Sequence, residues 1–223
     1  MKERVVIIGG KGTAVVIAEQ IYDAHIRFGV DIEVIGFAFD DPAYKDGING
    51  WPVLCGTGEA YAKYKDEPDV KFVYALYRSD LLKERIALRD SLGIPKERFL
   101  HFIHPTAFVA KSAVLGSGNI ILANCAINPN VIIGDFNTMQ TGSLIGHDTE
   151  LGCNNFLAAH TVIGSGLKIG NGNFTGLNCS MRNFVRMGDY NLIGMATNVV
   201  KDVDDYNVLV GNPAKLLHKN IKE

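Results

Sequence analysis

Four kinds of signal are missing from this 223-residue chain, and each absence narrows what it can be. Neither sign of charge dominates: 22 Lys and Arg stand against 24 Asp and Glu, for a formal charge of −2 and a pI near 6.3. No overall basic field exists to attract nucleic acid or an anionic membrane, so neither is expected as a partner. The N-terminus has no long apolar run. Val5–Ile8 is too short to span a bilayer and ends in glycine without a cleavage-type sequence, so it reads as a buried strand. The four cysteines (Cys55, Cys125, Cys153 and Cys179) form no C-x-x-C pair and sit in no secretory context, which points to a reduced, cytoplasmic protein. Finally, Gly9-Gly10-Lys11-Gly12 lacks the third glycine of the dinucleotide fingerprint, because residue 15 is Val15, and NAD is disfavoured.

What remains is ordinary globular composition, 47% hydrophobic and 21% charged, written in two patterns. Up to about residue 100, strand-like and helix-like segments alternate. Val5–Ile8 runs into the glycine turn, Thr13–Phe28 has helical content, and Asp31–Phe39 reads as a strand ending in Asp40-Asp41. Lys71–Tyr77 reads as another strand and Ser79–Leu92 as a charged amphipathic helix closed by Gly93, with Pro52–Leu54 as possible extra strand residues. This is the βαβ arrangement of a small parallel sheet, an α/β Rossmann-like domain over 1–104. The glycine loop offers backbone N–H groups to a phosphate at a helix N-terminus, or is a plain tight turn.

From Ala107 onward every sixth residue is apolar: Val109, Leu115, Ile121, Ile127, Ile133, Met139, Ile145 and so on to Val199. Fifteen of the sixteen are aliphatic or Met, Thr175 being the exception, and the register never slips. The following residue is Gly in nine of the sixteen, as at Gly116, Gly134, Gly146 and Gly152, which reads as a turn-permitting glycine. Two places before the apolar residue the side chain is mostly small, as at Ala107, Ala113, Cys125, Ser143, Thr161 and Cys179. No α-helix runs on a period of six. Hexapeptide repeats mark a parallel β-helix, whose coils bury their inner rows only by stacking.

A second period sets the coil. Asn119, Asn137, Asn155, Asn173 and Asn191 recur every eighteen residues, or three hexads, and so fall in one column able to bond amide to amide. At the spacing of paired strands, five coils give a prism roughly 25 Å tall. The β-helix is expected over 105–205, followed by a tail over 206–223. Cys125 and Cys179, three coils apart in the small inward position, read as packing residues.

Uninterrupted hexads of this form resemble the left-handed β-helix acyltransferases. The whole chain is similar to the sugar acetyltransferases of the sialic-acid O-acetyltransferase and bacillosamine or perosamine N-acetyltransferase group. The matching residues are Val6-Ile7-Ile8-Gly9-Gly10-Lys11-Gly12, His104-Pro105, Gly146-His147-Asp148, Val200-Lys201-Asp202-Val203 and Gly211-Asn212-Pro213-Ala214-Lys215. The resemblance implies acetyl transfer from acetyl-CoA, without a metal, to an amino or hydroxyl group of a nucleotide-linked sugar in surface glycan biosynthesis. It also implies a homotrimer with active sites between neighbouring helices.

Through the same resemblance His147 takes the place of the catalytic base and Asp148 that of its supporting carboxylate. A base titrating near neutrality suits a nucleophile that must shed a proton, and a carboxylate can fix its tautomer. By residue pattern alone, His147 is either such a base or simply an outward-facing side chain. The oxyanion donor, usually a backbone N–H, is expected near Ser165, while Leu177 and Met195 mark the CoA groove and Gly10, Lys11, Gly12, Asp40 and Asp41 the nucleotide site. Gln140 stands at an acceptor-contacting position, or is an exposed side chain. Two departures stand out. Phe156 replaces a histidine that often contacts acetyl-CoA, so that either the contact is hydrophobic or the acetyl end is held differently; and Tyr77-Arg78 stand where the family often has Gly and Asp or Asn. His160 ranks as structural or CoA-adjacent. The competing classes are a non-catalytic nucleotide-sugar-binding module and a γ-carbonic anhydrase-type metalloenzyme. The latter needs three histidines on zinc where this region has His147 and His160.

Overall fold

The computed structural model describes residues 2–220 and divides the chain into two compact units. One runs up to Arg78 and resumes over Glu84–His101. The other takes Ser79–Lys83 and everything from Phe102 on. The last three positions of the 206–223 tail lie outside the described residues.

The first unit is a four-stranded parallel sheet of strands β1 (Glu3–Ile8), β2 (Ile32–Ala38), β3 (Val53–Cys55) and β4 (Val70–Tyr74), in the order β3-β2-β1-β4. Val5–Ile8 of the central β1 are wholly buried, as an unbroken apolar run in a parallel sheet should be. Helix α1 (Thr13–Phe28) buries Ala14, Ile17, Ala18, Ile21 and Ala24, spaced three and four apart on one face. It stops at Gly29, whose left-handed backbone lets its N–H reach back to the last turn's carbonyls. The expected strand Lys71–Tyr77 ends earlier, at Tyr74, because the last ladder bond runs from the Ala75 amide to the Ile8 carbonyl. The charged helix is α2 (Leu82–Ser91), shorter than the expected Ser79–Leu92.

The second unit is the solenoid. Its strands are two residues long and pair in parallel at a constant offset of eighteen residues, as in Ile133 with Leu151, Met139 with Leu157 and Ile145 with Ile163. Three sheets result, one per side of the prism. The first coil begins at Phe102–Ile103, paired with Ile120–Ile121. Asn207–Val210 adds a further parallel strand, and Lys215–Lys219 folds back on it antiparallel through Gly211-Asn212-Pro213-Ala214. The apolar hexad positions form one continuous core from Ile121 to Leu209. Thr175, the exception, is also fully buried, and its hydroxyl is satisfied by Thr161 at 2.9 Å.

The asparagine column is a ladder in which each Oδ1 from Asn119 to Asn173 accepts twice. Asn155 illustrates the pattern. Its backbone N–H and Nδ2 both donate to Asn137 Oδ1, at 2.8 and 3.0 Å, while its Oδ1 accepts the corresponding pair from Asn173 at 2.9 and 3.0 Å. Asn207 extends the column with its backbone N–H on Asn191 Oδ1 at 2.8 Å. Cys125 and Cys179 are buried, and burial pushes the Cys125 thiol up to about 11.

The hexad glycines have a different cause from the one expected. Gly146 and Gly152 do not adopt positive φ. A Cβ on Gly152 would stand 2.7 Å from the Gly170 carbonyl oxygen, and one on Gly146 would collide with the Gly164 carbonyl. Close approach of the next coil's backbone, not turn geometry, excludes a side chain there. The left-handed positions fall two residues later, at Asn130, Asp148 and Asn154 among others.

Replacing Asn155 with Ala removes the acceptor for two buried Asn173 donors. At about 1–3 kcal/mol for each unsatisfied buried group, the loss should reach about 3 kcal/mol. It should register as a lowered urea midpoint at unchanged slope; a change below about 0.5 kcal/mol would contradict the ladder's structural role.

Candidate active site

The solenoid's three edges carry different chemistry. The edge that follows the strand Leu144–Ile145 stacks Lys111, Pro129, His147, Ser165, Asn183 and Lys201 at eighteen-residue spacing. Here the inward-facing Ile145 is wholly buried while the His147 and Asp148 side chains are 61% and 56% exposed. His147 Nδ1 lies 2.6 Å from Asp148 Oδ2, and Asp148 Oδ1 accepts from Asn130 Nδ2 at 2.9 Å. The bond from His147, and then that from Asn130, hold the Asp148 carboxyl below the usual carboxylate range. The backbone is equally constrained: Asp148 N–H donates to the Pro129 carbonyl and the His147 carbonyl accepts from Gly166 N–H, at 3.0 and 2.9 Å.

Ser165 sits one coil beyond His147, but its backbone N–H is already given to Asn183 Oδ1 at 3.0 Å. The amide expected as oxyanion donor is therefore engaged, whereas no hydrogen bond is made by its hydroxyl among the described residues. Leu177 and Met195 stack on a different edge, the one following the strands Phe174–Thr175 and Leu192–Ile193. They are 51% and 73% exposed. Phe156 is only 5% exposed and stacks on Phe174 at 4.7 Å, so its ring offers little surface to a ligand, contrary to the expected CoA contact. Gln140 is partly buried, and its Nε2 is closed off from solvent with no hydrogen-bond partner among the described residues, so it is not placed to contact an acceptor as expected.

His160 occupies a left-handed turn on the Leu177 edge, its ring packed over the space where a Gly142 Cβ would stand. It does not share an edge with His147, and among the described residues no group of three or more His, Cys, Asp or Glu is placed to hold a metal ion.

In the first unit, Gly10, Lys11, Gly12, Asp40 and Asp41 do come together. The N–H groups of Gly10, Lys11 and Gly12 make no hydrogen bond among the described residues and open the sixteen-residue helix α1. Such a helix start favours an anion. Lys11 Nζ pairs with Asp41 Oδ2 at 2.7 Å and lies over the Tyr44 ring at 4.9 Å. That pairing raises the Lys11 pKa and lowers that of Asp41. Asp40 accepts from the backbone N–H and hydroxyl of Thr57, and Asp41 caps Ala43, so both carboxylates also shape their own loop. A Cβ at Gly10 would collide with the Phe39 ring. Tyr77 meets Tyr74 edge-on at 6.5 Å in the loop after β4.

An α/β unit joined to a solenoid with a His–Asp pair on its edge defines the class: a left-handed β-helix fold of the sugar acyltransferase type. Within that class the chain is similar to perosamine N-acetyltransferase from Caulobacter crescentus. One structure of that enzyme, bound to CoA and GDP-perosamine, aligns at a TM-score of 0.80 with 28% identity, covering 96% of this chain and 97% of the other. Another, of a variant whose histidine is replaced by asparagine, aligns at 0.81 with 27% identity and the same coverage. The acetyltransferase domain of PglB from Neisseria gonorrhoeae, bound to acetyl coenzyme A, aligns at 0.79 over 97% of this chain and all of the other. Its identity is 22%, which speaks to fold alone. By sequence, UDP-N-acetylbacillosamine N-acetyltransferase from Bacillus subtilis is 43% identical over 56 residues, 25% of this chain; the match spans about a quarter (24%) of that protein. No protein-family model matches the chain. The resemblance to the perosamine and bacillosamine N-acetyltransferase group is borne out. Among the described residues no helix is long and apolar enough to cross a membrane.

Asn130, which holds Asp148, escaped the sequence reading; the available signal was its spacing of eighteen residues from Asp148. Because the Asp148 carboxyl is depressed relative to an unfolded chain, the stabilisation is complete above roughly pH 4 and is lost as pH falls through the depressed value. Carbon-detected NMR of the Asp148 carboxyl should show its midpoint rising on His147→Ala substitution; an unchanged midpoint would rule out His147 as the main cause.

Proposed function

We propose that the protein is an acetyl-CoA-dependent acetyltransferase acting on an amino group (or a hydroxyl) of a nucleotide-linked sugar in cytoplasmic surface-glycan biosynthesis. It works as a homotrimer, with His147 as general base. The observation that carries the reading is the 2.6 Å contact between His147 Nδ1 and Asp148 Oδ2 on an exposed edge of a rigid coil. With the Nδ1 proton directed at the carboxylate, Nε2 keeps its lone pair and faces solvent.

The neutral amine of the acceptor attacks the thioester carbonyl carbon, forming the C–N bond, and His147 Nε2 takes the proton the nitrogen loses. Asp148 stabilises the resulting imidazolium. The tetrahedral intermediate collapses with cleavage of the C–S bond, and the imidazolium returns its proton to the departing thiolate as CoA. The products are the N-acetylated sugar and CoA, in balance with the reactants. Ser165, through its unengaged hydroxyl rather than its amide, is the local donor for the oxyanion. An amine acceptor is favoured over a hydroxyl because the perosamine and bacillosamine relatives are named as N-acetyltransferases.

The separation of the edges supports the homotrimer. Leu177 and Met195 lie on a different edge from His147, a full side of six residues away, on the order of 15–20 Å at the rise of an extended chain. A CoA that lies against Leu177 and Met195 of one copy meets the His147 of a neighbour when different edges face each other, and a three-fold ring provides this at every interface. The three free N–H groups at Gly10–Gly12 and Lys11 hold the acceptor's phosphates, with Asp40 and Asp41 facing its polar groups. A phosphate competes with Asp41 for Lys11.

Incubation with acetyl-CoA and a panel of GDP- and UDP-linked amino sugars, following release of free thiol, tests the reading. One acceptor should turn over, and His147→Ala should lower kcat/KM by about 10²–10⁴. Turnover of no acceptor above the His147→Ala control would refute it. Sedimentation should give a trimer at micromolar protein; a monomer would contradict the shared site.

A further inference from the structure

Asp148 has two carboxylate oxygens, and the solenoid assigns each a different partner. Oδ2 faces His147 Nδ1 at 2.6 Å, whereas Oδ1 accepts from Asn130 Nδ2 at 2.9 Å. Asn130 lies one coil before Asp148, and both are held in left-handed turns, with φ of 62° and 59°. Asn130 is itself tied down: its backbone N–H donates to Ser112 Oγ at 3.0 Å, one coil earlier again. Ser112, Asn130 and Asp148 thus form a short column at eighteen-residue spacing that ends on the imidazole.

The column matters because Asp148 is exposed. A solvated carboxylate rotates freely about its terminal bond and exchanges partners with water. A carboxylate with one oxygen pinned from below presents the other in a fixed direction. Asn130 suits the task on two counts. Its side chain supplies a neutral N–H donor, and Asn tolerates the left-handed backbone that the turn demands.

We propose that Asn130 is a positioning residue for the acetyl transfer: it touches neither substrate, but fixes the Asp148 carboxylate so that Oδ2 holds His147 with Nε2 turned outward. The inference rests on His147 being the general base. Removing Asn130 leaves both members of the pair in place but frees Asp148 to turn, so the correctly oriented base becomes one conformer among several. The loss falls on kcat, while binding of acetyl-CoA and acceptor is unchanged.

Two variants keep the turn. Asn130→Gly accepts the left-handed backbone and deletes the donor. Asn130→Asp keeps the shape and replaces the donor with a carboxylate that repels Asp148. Asn130→Gly should lower kcat about tenfold, within the range seen when a partner behind a functional ligand is removed, with both KM values within twofold of wild type. Asn130→Asp should fall further. Nitrogen NMR of the His147 ring should move from a single Nδ1–H tautomer towards a mixture in Asn130→Gly, a change that loosened packing elsewhere would not produce. In an Asp148→Asn background the Asn130→Gly change should cost no more than twofold, since the group it positions is gone. The inference is overturned by a kcat within twofold of wild type for Asn130→Gly, by an unaltered His147 tautomer, or by a tenfold loss that persists in the Asp148→Asn background. The base reading fails separately: it is lost if His147→Ala retains wild-type turnover, whatever Asn130 does.

Discussion

The constraint on which this molecule depends is the exact repeat of eighteen residues per coil, enforced by hydrogen bonds that only correct register satisfies. A two-residue strand makes too few ladder bonds to hold its own alignment. Buried asparagines supply the rest. Each Oδ1 from Asn119 to Asn173 takes both the backbone N–H and the Nδ2 of the Asn one coil on, so a slip by one residue would strand buried donors along the whole column. The glycine column adds a steric version of the same demand, since the carbonyl of each coil occupies the space a side chain would need on the one before. Register is thus fixed twice, by attraction and by exclusion.

Chemistry follows from that rigidity. The repeat commits its inward positions to the core and leaves the turn positions free, so each edge becomes a vertical row of variable side chains on an invariant backbone. His147 and Asp148 use one such row, and the bonds from Pro129, Gly166 and Asn130 converge on them from the coils before and after. Leu177 and Met195 use another. A solenoid too narrow to enclose a site can still build one from its edges, provided copies of the chain bring different edges together. The first unit has no such repeat; its helix start leaves N–H groups without partners among the described residues, beside Lys11, an arrangement that favours an anion.

Much of this is legible in the residues. The period of six, the asparagine spacing and the outward direction of His147 all follow from counting, because a one-dimensional repeat maps sequence position directly onto place in the fold. What counting misses is local. The hexad glycines suggest turn-permitting residues, but their reason is the neighbouring coil, which a period read along one coil does not reveal. Phe156 follows the residue-by-residue resemblance into the CoA site, yet its ring is stacked on Phe174 and buried. Ser165 occupies the expected place with its amide already given to Asn183. In each case the deciding partner lies eighteen residues away, a separation that motif reading does not inspect. The strand after Lys71 and the helix after Ser79 shift for the more ordinary reason that ladder bonds, not residue propensity, end an element.

The repeat sets His147 and the Leu177–Met195 row on separate edges, and the proposed trimer shares each active site between two copies. Mixing subunits tests it most directly. His147→Ala chains and Leu177→Glu/Met195→Glu chains, each inactive alone, are unfolded together in equal amounts and refolded as mixed trimers. If base and groove come from neighbouring copies, random assembly leaves roughly one site in four with both intact, and activity returns to about a quarter of wild type. If both come from the same chain, every site carries one defect and the mixture stays as inactive as its parts, which would contradict the account.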